Sequence, residues 1–104
     1  MELRIVRWAK PHPPAEAELR ELYRQEGLTP YAWSNEPGDT YVAHAHAYHK
    51  VLFTLRGSIT WILTDSGQEI ETFPGDRLDL PRGTRHAARV GYSGVTCLEA
   101  HLPE

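Results

Sequence analysis

The stretch Pro74-Gly75-Asp76-Arg77-Leu78-Asp79-Leu80-Pro81-Arg82-Gly83-Thr84-Arg85-His86 decides how this chain is read. Pro74-Gly75-Asp76 is a turn, Arg77 to Leu80 alternates as a short strand does, and Pro81-Arg82-Gly83-Thr84 is a second tight turn. His86 then opens the next strand. A histidine there stands at the head of a strand just beyond the turn.

Upstream lies a second block built on the same logic: Gly38, His44, His46, Lys50 and Gly57. Side chains alternate faces along a strand, so His44 and His46 point the same way. Two imidazoles on one wall and a third from a distant strand can form a facial triad, which leaves metal positions open for water or substrate. Residues 58 to 74 separate the blocks and suffice for one hairpin.

Working outward, everything from Tyr31 onward reads as β. Runs near 40–48, 49–56, 59–64, 68–73, 77–80, 85–90 and 95–102 are separated by turn signals, among them Arg56-Gly57-Ser58 and Gly91-Tyr92-Ser93-Gly94. Seven or eight short strands predict a sandwich or barrel rather than a parallel α/β sheet. Toward the N-terminus, Leu3 to Trp8 alternates as an edge strand. Ala15 to Glu26 is the only helical pattern, with Ala15, Leu19, Leu22 and Tyr23 on one stripe, Gly27 as its stop and Pro30 beyond.

Composition bounds the rest. A chain of 104 residues fits one domain, and 40% hydrophobic residues is ordinary for a folded protein. The formal charge of −3 comes without a basic patch, so neither nucleic acid nor an anionic membrane is an expected partner. Cys97 is the sole cysteine, which rules out an intramolecular disulfide and suits a buried small apolar role. The run Met1 to Trp8 lacks the apolar core and cleavage site of a signal peptide, and no segment has transmembrane length. A soluble, cytoplasmic protein is expected.

The two blocks, in order and with a minimal spacer, resemble the paired motifs of the cupin superfamily over about residues 36 to 100. The resemblance implies an all-β fold, a double-stranded β-helix or jelly-roll barrel, here with one short N-terminal helix. Residues 1–104 would form a single cupin domain, with 1–30 as a strand-and-helix arm and 31–104 as the barrel. Carried over by position, His44, His46 and His86 would ligate a divalent transition metal: Zn, Mn, Fe, Ni, Cu or Co. The chain departs from the family pattern at Lys50, where the family has a Glu ligand, and at Val90, where it often has Asn. A protonated ammonium does not ligate and repels a cation.

Lys50 shares parity with His44 and His46. It reads either as an inward base or substrate anchor, or as a lysine that snorkels out or pairs with a carboxylate. Because nine arginines and only one other lysine, Lys10, carry the remaining positive charge, a lysine here stands out. Glu99 and Asp79 are possible pocket acids, each with a solvent-facing alternative. Trp33, Tyr41, Phe53 and Trp61 either line a cavity or fill the core. His49 has outward parity, and His12 and His101 are expected at the surface. Three functions follow: a metal-dependent oxygenase, isomerase or lyase acting on a small organic molecule; a small-ligand-binding or sensing module; and a metal-free acid/base enzyme using Lys50 and histidine. A homodimer is expected, because the N-terminal strand can cover a neighbour's sheet edge as well as its own.

Overall fold

A computed structural model describes residues 1–102. The last two residues of the expected barrel span, 103 and 104, lie outside the described residues. In chain order the elements are β1 (Arg4–Val6), α1 (Glu16–Gln25), β2 (Tyr31–Asn35), β3 (Thr40–His44), β4 (His49–Leu63), β5 (Glu69–Thr72), β6 (Arg77–Leu80) and β7 (His86–Leu102).

All pairing is antiparallel, in the order β1-β6-β4-β7-β2, with β3 also on β7 and β5 also on β4. Two long strands therefore organise the barrel. The first half of β4 pairs with β6 and the second with β5. The first half of β7 pairs with β3 and the second with β2.

The glycine signals expected as turns at Gly57 and at Gly91 to Gly94 lie instead inside these continuous strands. The β4–β7 register shifts between Thr54 and Arg56 and again between Gly57 and Ile59. Such bulges bend a strand without ending it. Gly57 has φ +76°, and a Cβ built on it would collide with the carbonyl of Gly94. The bend thus requires two backbones to approach more closely than any side chain allows. It also resets the alternation. Lys50, Leu52 and Thr54 share one face before Gly57, and Ile59, Trp61 and Leu63 continue it afterwards.

Two apolar layers result. The barrel interior packs Leu52, Ile59, Trp61, Leu78, Val90 and Cys97. The opposite face of the same strands, Val51, Phe53, Leu55 and Leu98, receives Leu19 and Tyr23 of α1. The Tyr23 hydroxyl is buried yet satisfied, contacting the carbonyls of Val51 at 2.7 Å and Leu98 at 3.0 Å. The helix ends in a Schellman arrangement, with Gly27 N–H donating to Arg24 O and Leu28 N–H to Tyr23 O. β1 covers the β6 edge of its own chain. Among the described residues no helix is long and apolar enough to cross a membrane.

Candidate metal and ligand pocket

His44 closes β3, His86 opens β7, and the two are direct cross-strand partners. His46 follows two residues after His44 on the loop into β4. One ligand-capable nitrogen from each of the three lies within 4.8 Å of the other two. Strand alternation and the β3–β7 pairing together bring three imidazoles to one point.

Their outer nitrogens are already committed. His44 Nδ1 lies 2.7 Å from Val42 O, and His86 Nδ1 lies 2.9 Å from Thr84 O. A carbonyl only accepts, so each Nδ1 carries the proton and each neutral ring leaves a lone pair on Nε2. His46 Nδ1 contacts the Tyr48 hydroxyl at 3.0 Å, while its Nε2 is buried with no hydrogen-bond partner. An orphaned buried nitrogen is costly unless something coordinates it or bonds to it. Outer bonds that fix ring and tautomer are the usual setting of metal-binding histidines. The three residues fit a divalent ion.

The surrounding cavity is about 280 Å³ and is walled by Tyr31, Trp33, Tyr41, Tyr48, Trp61 and Ala88, with Lys50 and Glu99 among its polar residues.

Solved structures share this architecture. A DUF861 family protein of Thermotoga maritima superposes with a TM-score of 0.68 at 19% identity, covering 97% of this chain and 100% of that one. A cupin superfamily protein of Desulfitobacterium hafniense gives 0.63 at 16%, over 99% and 79%. A cupin-2 domain containing protein of Shewanella frigidimarina gives 0.60 at 19%, over 74% and 71%. The chain has the cupin fold. No family model matches the chain, and no curated protein matches it.

Lys50 faces inward, as its parity predicts, and its side chain is 9% exposed. Nζ stands 3.6 Å from Glu99 Oε2, beyond hydrogen-bond reach, and 6.0 Å from the Tyr48 ring centre. Glu99 also points inward and has three hydrogen-bond partners. It accepts from Tyr31 Oη at 2.7 Å and Trp33 Nε1 at 3.1 Å, and His101 Nε2 lies 2.7 Å away. Burial pushes the Glu99 carboxyl up, but these hydrogen bonds and the Lys50 charge outweigh it and hold the group below its ordinary value. Burial pulls Lys50 down, and Glu99 opposes the shift. Burial and then the Lys50 charge depress His46 to about 4, with smaller effects from His44 and His86. Burial likewise lowers His86. At neutral pH both His46 and His86 are uncharged, the form that coordinates.

One expectation is corrected. Asp79 is buried but does not line the pocket. It pairs across the strands with Val51, so it lies on the helix-facing side, where Arg77 Nε at 2.8 Å and Arg4 at 3.2 Å neutralise it. Phe53 takes the core alternative on that outer face and packs edge-on against Tyr23. His101 is exposed, as expected, and also touches two residues of the pocket wall. It stacks on Tyr48 with ring centres 3.8 Å apart and contacts Glu99. His49 does lie outside the triad, accepting from Arg82 N–H at 2.8 Å. Tyr48 is the residue that sequence reasoning missed, although His46, Tyr48 and Lys50 share one parity and the alternation that selected Lys50 selects it too.

Proposed function

We propose that this cupin holds a divalent transition metal through Nε2 of His44, His46 and His86 and takes a small organic molecule into the aromatic cavity beside it. The observation that carries the reading is the orphaned, buried Nε2 of His46, set beside two histidines whose Nδ1 protons are spent on carbonyls. A bound ion would supply Lewis acidity at coordination positions that three histidines leave open. The chain's own residues do the rest. Tyr48 orients His46, Glu99 holds the Lys50 charge inside, and Trp61 walls the cavity while its indole N–H is spent on Thr72 at 3.2 Å.

Among Zn, Mn, Fe, Ni, Cu and Co, an all-imidazole donor set suits Zn, Cu, Fe and Ni best. Zn²⁺ is the convenient probe. Calorimetric titration of the metal-free chain with Zn²⁺ should give one site per chain, and His46→Ala should lose it. Unchanged stoichiometry in His46→Ala, or no uptake by the wild type, would refute the reading.

We also propose a homodimer. Val6 and Leu3 remain exposed on the N-terminal segment that borders the sheet, and a second copy can cover that edge. A monomeric mass by light scattering at micromolar concentration would end that proposal.

A further inference from the structure

We infer that Lys50 is the anchor for an anionic oxygen of the ligand, so that the pocket takes a small, flat organic anion such as an aromatic carboxylate. The inference rests on the small-molecule pocket proposed above but not on the metal.

The argument is an accounting of donors. The Tyr31 and Trp33 donors are spent on Glu99, the Tyr41 hydroxyl donates to Asn35 Oδ1, and the Trp61 indole N–H donates to Thr72. Tyr48 Oη lies 3.0 Å from His46 Nδ1, and with Nε2 of that ring free to coordinate, Nδ1 carries the proton and Tyr48 accepts, so its own O–H stays open to a ligand. Apart from that hydroxyl, the aromatic wall offers a ligand mainly its apolar faces. Glu99 already has three hydrogen-bond partners and is 3% exposed, so it is a poor acceptor for a cationic ligand.

Lys50 is the charged exception. It brings three N–H donors to the pocket on a side chain that is 9% exposed, with Glu99 Oε2 3.6 Å from Nζ. An incoming oxygen can take hydrogen bonds from the ammonium that Glu99, at 3.6 Å, leaves unmade. A cavity of about 280 Å³ lies at the small end of ligand pockets, which run from roughly 300 to 1,000 Å³. It suits a ligand of about one aromatic ring.

Benzoate and its neutral isostere benzamide separate shape from charge. Calorimetric titration of the full chain with each, with and without added Zn²⁺, should show benzoate binding at least tenfold tighter than benzamide in both states. Lys50→Met should bring the two within about twofold by weakening benzoate alone. The wild-type comparison stands by itself should that variant fail to fold. Equal affinities, tighter benzamide, or no binding of either at millimolar concentration overturns the inference. Failure of Zn²⁺ uptake with the benzoate preference intact would refute the metal reading and leave the anchor standing. Normal Zn²⁺ uptake without that preference would do the reverse.

Discussion

Lys50 on β4 and Glu99 on β7 are diagonal neighbours across the central ladder, with Nζ and Oε2 3.6 Å apart and both side chains less than one-tenth exposed. Neither is stable there alone. Removing one member of a buried pair leaves an uncompensated charge, at a cost of about 3–5 kcal/mol. Lys50→Met should therefore destabilise the fold by about 3 kcal/mol in urea unfolding. Adding Glu99→Gln, which keeps an acceptor for Tyr31 and Trp33, should restore at least half of that loss. Strictly additive effects would show that the two charges do not depend on one another.

Acid should loosen the metal-free protein in a defined window. His46 is held at about 4 against an ordinary value of 6.5, and His86 is also lowered. For a group depressed by folding, the unfolded chain binds more protons between the two values. The stabilisation is complete above about 6.5 and is lost as pH falls through the folded value. Glu99, held below its ordinary 4.5, adds a second loss of the same sign at still lower pH. The Tm of metal-stripped protein should fall by several degrees between pH 7.5 and 5, and His46→Gln should flatten that slope. A Tm that rises on acidification in this range would contradict the burial argument.

Gly57 and Gly67 both have φ near +76°, but only Gly57 faces a backbone. Gly67→Ala pays the left-handed penalty alone, about 1–2 kcal/mol. Gly57→Ala adds collision with Gly94 and should cost upwards of 3 kcal/mol, or prevent folding. Chemical denaturation of the two variants measures the difference. Equal losses would mean that the β4 bend does not depend on that close approach.

The barrel was legible because its information is local. His44, His46 and Lys50 face inward by simple alternation, and the turns flanking Arg77 to Leu80 are set by proline and glycine. The helix stripe and its glycine stop read directly as well. What escaped depends on long-range pairing. Glycine inside a bulge and glycine in a turn look alike in sequence, so β4 and β7 each read as two strands. Asp79 was decidable in principle: with Leu78 and Leu80 inward, the residue between them faces out. The Glu99–His101 spacing likewise puts both on one face, which is how His101 reaches the pocket rim from an exposed position. The carbonyls that fix His44 and His86 come from residues two positions upstream, a backbone detail no residue pattern carries.

The central claim is that the three histidines act together as a metal-binding set. X-ray absorption of Zn²⁺-loaded wild-type protein tests it most directly. The account predicts imidazole scattering from three nitrogens at about 2.0–2.1 Å per zinc, falling to two in His86→Ala. A shell of oxygen alone, or an imidazole count unchanged in His86→Ala, would contradict it.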